Sequence, residues 1–114
     1  MKTIEQIEVA AGDREAIDDA AAILRARFGV SRLVLFGSKA RGDDDPESDI
    51  DLLVLTGRPV SREEKDAITD SLFDTQIHRQ VVLSPLVVSR ADWDSPMWRV
   101  LPIHQQIEPE GVVI

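Results

Sequence analysis

Two apolar runs, RLVLF (32–36) and IDLLVL (50–55), constrain this chain more than any other feature. Side chains alternate across a strand. Leu33 and Leu35 therefore lie opposite Val34 and Phe36, while Ile50, Leu52 and Val54 lie opposite Leu53 and Leu55. Both faces of the sheet are apolar, and the few helices expected elsewhere need not cover both. Either the terminal segments fold over the second face or another chain does.

The pattern around the strands is helical. Asp13 is placed to cap a helix reaching about Phe28, with Ile17, Ala20, Ala21, Leu24 and Phe28 at helical spacing and Gly29 as the stop. Residues 3–9 read equally as a short strand or a helical turn. Ser61 and Glu64 form a capping-box pair that opens a helix through about Asp74, burying Ile68 and Leu72. QVVLSPLVVS (80–89) reads as a third long strand, and Pro85, which cannot donate to a ladder, puts it at an edge or on a bulge. Ser95 and Pro96 read as N-cap and first helical residue of a last helix that carries Trp98, Leu101 and Ile107 and is interrupted near Pro102. The expected architecture is a small α/β (α+β) domain: a mixed β-sheet flanked by helices, one domain over residues 1–114.

Composition narrows the function. The 114 residues are 43% hydrophobic, enough for a modest core. The absence of cysteine excludes disulfides, thiol chemistry and a Cys-ligated zinc site. No apolar run approaches the ~20 residues of a membrane span, and a cytoplasmic location is the default expectation. The formal net charge of -8 argues against a nucleic-acid-binding protein that grips many phosphates. A single phosphorylated small molecule escorted by a metal ion fits that charge.

Between the two apolar runs lies GSKARGDDDPESD (37–49), which crowds four aspartates and a glutamate into one loop. Like charges repel, so the crowding costs stability unless a positive charge sits among them. Two familiar motifs do not account for it. GSKARG has P-loop glycine spacing, but that motif needs Lys then Ser or Thr next, where Asp43 and Asp44 stand. An EF-hand loop starting at Asp43 needs Gly and Glu where Ser48 and Val54 are found. What remains is an ordered combination: a strand ending in Gly37-Ser38, a ten-residue loop, and Asp49-x-Asp51 opening the next strand. Residues two apart on a strand face one way, ~6.5–7 Å apart along the backbone. Carboxylates so placed suit Mg²⁺, which takes one or two of them and completes its shell with water and substrate phosphates. Gly37 lets a phosphate approach the backbone, and Ser38 offers a hydroxyl and an amide. A helical turn over Lys39–Gly42 would extend that cradle.

GSKARG (37–42) and SDIDLLV (48–54) together resemble the DNA polymerase β-type nucleotidyltransferase superfamily, and most closely its minimal nucleotidyltransferases. The element order agrees over most of the chain. The resemblance implies a polymerase β-like fold, a nucleoside triphosphate held by Gly37 and Ser38, and Mg²⁺ or Mn²⁺ bound by Asp49 and Asp51 as catalytic carboxylates. It implies transfer of a nucleoside monophosphate, AMP from ATP, to a hydroxyl. Arg41 or Lys39 would add positive charge near the phosphates; a salt bridge to the local acids is an equally good reading of Arg41. Relatives pair with HEPN-type helical proteins in toxin–antitoxin systems, so such a partner, or a homodimer, is the expected assembly.

One part of the pattern is absent. Active relatives usually carry a third carboxylate on the next strand, but QVVLSPLVVS has none, and Ser84 is the only hydroxyl inside it before its end. The expectation is that nucleotide binding survives while the acceptor-activating metal is weakly held. The competing reading is a catalytically impaired nucleotide- or partner-binding module that keeps the fold. His78 and His104 stand in no ligand spacing, and Trp93 and Trp98 read as packing residues.

Overall fold

The computed structural model describes residues 1–114. Five strands form one mixed sheet: β1 (Lys2–Thr3), β2 (Val30–Phe36), β3 (Ile50–Thr56), β4 (Leu83–Ser89) and β5 (Val112–Val113), in the order β1-β5-β2-β3-β4. β2 runs antiparallel to β3, and β4 runs parallel to β3. Pro85 is tolerated because β4 is the sheet edge, one of the two placements that the sequence allows, although the strand begins at Leu83 rather than residue 80. The terminal Val-Val pair closes the sheet in an unexpected way. β5 inserts between β1 and β2, antiparallel to β2 and parallel to β1.

The first face of the sheet is covered by α1 (Ala11–Phe28), α3 (Arg62–Ser71) and α4 (Phe73–Arg79). Ile17, Ala20 and Leu24 of α1 are fully buried against Leu33, Leu35, Ile50, Leu52 and Val54. Each large aliphatic side chain so removed from water contributes about 1.5–3 kcal/mol. The expected single helix after Ser61 is divided at Leu72 into α3 and α4. Ser61 Oγ accepts from the Glu64 amide at 3.1 Å, but the Glu64 carboxylate turns to Arg58 at 2.7 Å, so only half of the capping box forms. Asp13 also departs from expectation. Ala10 precedes the helix, and Asp13 lies buried within its first turn.

The second face carries Val34, Phe36, Leu53 and Leu55, which pack with Val88, Trp93 and Ile107. Trp93 comes from α5 (Arg90–Trp93) and Ile107 from α7 (Pro102–Glu110), with α6 (Pro96–Arg99) between them. Of the two ways to cover this face, the chain's own C-terminal helices supply it. Proline sets where they begin, because it lacks an N–H and suits a first turn, as at Pro96 and Pro102. His104 is buried and stacks on Trp93 with centroids 4.2 Å apart, an interior packing role, while His78 is exposed. No helix is long and apolar enough to cross a membrane.

Candidate active site

β2 ends at Phe36, which pairs with Asp51 at the start of β3. The next residue, Gly37, turns the chain with φ 77° into α2 (Ser38–Arg41), the one-turn helix expected over this stretch. That left-handed backbone and the lack of a side chain are both required here. A methyl group on Gly37 would collide with Asp51 Oδ2 and stand 3.2 Å from Asp51 Cγ. The Asp51 carboxylate therefore lies directly against the glycine-serine bend. The pairing register, not the loop between, brings them together.

The acids of the loop have different fates. Asp43 pairs with Arg41 at 3.1 Å, and Asp44 with Lys39 at 3.0 Å. Asp45 accepts from the Glu47 amide at 2.8 Å and so shapes the turn. Neither Asp49 nor Asp51 has a basic partner within ion-pairing distance. Asp49 is exposed and Asp51 half-buried. Burial, then the neighbouring Asp49 charge and then Glu110, push the Asp51 carboxyl above its ordinary range, with Arg41 offsetting only part. The pair is a pocket of uncompensated negative charge with hard oxygen donors. That chemistry fits Mg²⁺ or Mn²⁺. No three acidic or imidazole groups converge tightly enough to hold an ion alone, so the remaining ligands would have to come from a substrate and water.

Lys39 corrects a sequence expectation. Its side chain does not face the bend; it is buried, with Nζ 2.8 Å from Asp13 Oδ2 and 3.0 Å from Asp44 Oδ2 and donating to the Asp45 carbonyl at 3.2 Å. Burial works against the charge, but the hydrogen bonds to Asp13 and Asp44 outweigh it and raise the ammonium pKa above its ordinary value. This clamp fastens α2 to α1 and leaves no free donor for a phosphate. Its signal is faint in sequence, because Asp13 lies far upstream and reads as a cap.

Arg41 is at the bend, and the salt-bridge reading describes it. Its guanidinium donates to Asp43 and, through Nη1, to both oxygens of Glu110 at 3.2 Å. Glu110 is the residue that the sequence does not disclose. It ends α7, and its Oε2 accepts from the Gly37 amide at 2.5 Å. Gly111 makes that approach feasible, since a side chain there would stand 2.8 Å from Val34 Cγ1 and 2.9 Å from the Ile107 carbonyl. An EPEG tetrad before a terminal strand was the only available hint.

The absent third carboxylate is also explained in place. β3 and β4 pair in register with Asp51 beside Ser84, so a hydroxyl stands where the neighbouring strand could have offered an acid. None of the surface hollows includes Asp49 or Asp51, and the pair stands on an open ledge. The largest hollow, about 490 Å³, lies over the second sheet face between Arg32, Arg90 and Trp93.

Comparisons with known proteins point to one family and one fold. The family model described as the nucleotidyltransferase domain matches residues 17–95. A Methanocaldococcus jannaschii protein, provisionally named a protein adenylyltransferase, is 32% identical over 77 residues, covering 68% of this chain and 76% of that protein. Among solved structures, a mutant of the toxin–antitoxin complex MntA–HpeT superposes with a TM-score of 0.60 over 86% of this chain and 70% of that one, at 18% identity. A Sulfolobus solfataricus structure, provisionally described as a nucleotidyltransferase, gives 0.53 over 90% of this chain and 75% of that one, at 19% identity. At such identities the two structures speak to the fold.

Proposed function

Because the chain belongs to the nucleotidyltransferase domain family and is a nucleotidyltransferase, we propose that it transfers AMP from ATP to a hydroxyl on a partner protein, with Mg²⁺ or Mn²⁺ at Asp49 and Asp51. The observation that carries this reading is the contact of the Asp51 carboxylate with the Gly37-Ser38 bend. A site for a metal-bound triphosphate needs carboxylates and phosphate-binding backbone side by side, and here strand pairing holds them so.

The chain's own residues divide the work. Gly37 opens the backbone to a phosphate, and Ser38 adds a hydroxyl and an amide donor. Arg41 brings a guanidinium to the same edge, suited to bidentate phosphate contact. Asp49 and Asp51 would hold the divalent ion, which when bound would supply charge neutralisation on the leaving pyrophosphate. Positioning of the acceptor hydroxyl in line with the α-phosphorus would fall to the partner, since the ledge is open. The M. jannaschii relative's name supports a protein acceptor and adenylyl transfer. The toxin–antitoxin neighbour fits an assembly with a second chain, and the family resemblance implies a HEPN-type helical protein in that place.

The test is incubation of the protein with ATP labelled at the α-phosphate, Mg²⁺ and a candidate partner. The label is expected on the partner, and its transfer should fall by roughly 10²–10³-fold in Asp51→Asn. Undiminished transfer by that variant would remove Asp51 from the reaction. A second reading, a binding module that holds nucleotide and partner without turnover, is favoured by Ser84 beside Asp51. It predicts complex formation and nucleotide binding with no label transferred.

A further inference from the structure

Glu110 occupies the donors that a triphosphate would need. One carboxylate oxygen accepts from the Gly37 amide at 2.5 Å, and both oxygens lie 3.2 Å from Arg41 Nη1. The Glu110 side chain is only 14% exposed, while the Arg41 side chain that it meets keeps 42% of its surface open to water. A backbone amide at a tight bend plus a guanidinium is an anion-binding set. A carboxylate seated on it is a stand-in for a phosphate.

We propose that Glu110 is an intramolecular competitor for the triphosphate: it plugs the Gly37–Arg41 anion site when nucleotide is absent and must leave for nucleotide to bind. The proposal rests on the nucleotide-site reading given above. Rotation about the Glu110 side-chain bonds suffices for release, because Ile107 and β5 keep the end of α7 docked on the sheet. Departure is favoured by charge, since triphosphate brings more negative charge to the same donors and Glu110 adds to the repulsion already felt by Asp51. A role as the missing third metal carboxylate fits less well. Both Glu110 oxygens are committed to Arg41 and the amide, and no three acids converge on one point. Glu110 also lies beyond residue 95, where the match to the family model ends.

The experiment measures Mg·ATP affinity by titration calorimetry for the unaltered protein, Glu110→Gln, Glu110→Asp and Asp49→Asn, with inorganic tripolyphosphate as a base-free probe. Glu110→Gln and Glu110→Asp, one lacking the charge and the other the reach, should bind both probes about tenfold more tightly. Thermal unfolding of each variant checks that the fold is kept. In parallel, the ¹⁵N–¹H resonance of Gly37 should shift upfield in ligand-free Glu110→Gln as the short charged hydrogen bond is lost. Equal or weaker binding by the Glu110 variants, with Asp49→Asn still impaired, overturns the competitor while leaving the site intact. Tighter binding in Glu110→Gln with unimpaired Asp49→Asn keeps the competitor and removes the metal role. Binding by none of the proteins overturns both.

Discussion

The same loop supplies two groups of acids, and the structure treats them oppositely. Asp44, together with Asp13 from α1, surrounds the Lys39 ammonium, which is buried at 3% exposure. Asp49 and Asp51, a few residues on, have no base within ion-pairing distance. Within the first group both carboxylates share one ammonium, and the product is rigidity, since a buried ion pair is costly to open. The second group is left in mutual repulsion, which destabilises the folded chain and which the proposed divalent ion would relieve. Charge compensation separates the acids that hold the fold from the acids to which the proposed function assigns a ligand. Proximity in sequence does not.

The contrast breaks if the two groups respond alike to substitution. Lys39→Met should have the largest effect on stability, about 3–5 kcal/mol, because it leaves Asp13 and Asp44 facing each other without a counter-charge. Urea unfolding measures this, and a loss under ~1 kcal/mol would mean that the clamp is ornamental. Gly37→Ala comes next, at about 1–3 kcal/mol, from the left-handed backbone and the collision with Asp51. That variant should lose nucleotide affinity as well, since Asp51 must swing away. A stable Gly37→Ala protein with normal binding would separate the bend from the carboxylate.

The pH dependence sharpens the contrast with the smallest effect. The carboxyl of Asp51 is raised, so its favourable contribution is fully present below the ordinary carboxylate pKa and is lost as pH rises through the raised native value. Asp44 is lowered, first by its hydrogen bond with Lys39; its contribution is present above the ordinary value and lost as pH falls through the depressed one. Unfolding midpoints followed between about pH 3 and pH 7 should therefore show opposite slopes removed by Asp51→Asn and by Asp44→Asn. The same slope removed by both would erase the distinction.

Much of this was legible in the sequence. The apolar runs, the Gly37-Ser38 end of β2, the opening of β3 at Asp49-x-Asp51, the proline-marked start at Pro96 with its interruption near Pro102, and the choice of edge or bulge for β4 follow from local chemistry acting over a few residues. What escaped depends on contacts across long separations. Lys39 in a phosphate-loop-like string reads as a free base, and only the packing of α2 against α1 turns it inward to Asp13. Two residues of β5 are too few to show a period, yet their insertion beside β2 brings Glu110 to a bend 73 residues away. The domain's second cover came from the C-terminal helices for a similar reason: α5, α6 and α7 are short, and Trp93, His104 and Ile107 alone among their residues are buried.

The most direct test is the binding of Mg·ATP to the unaltered protein, Asp49→Ala and Asp51→Ala by calorimetry at fixed ionic strength. The account predicts that each substitution weakens binding by at least about tenfold while leaving the unfolding midpoint unchanged or slightly raised. Affinity that survives both substitutions would contradict it.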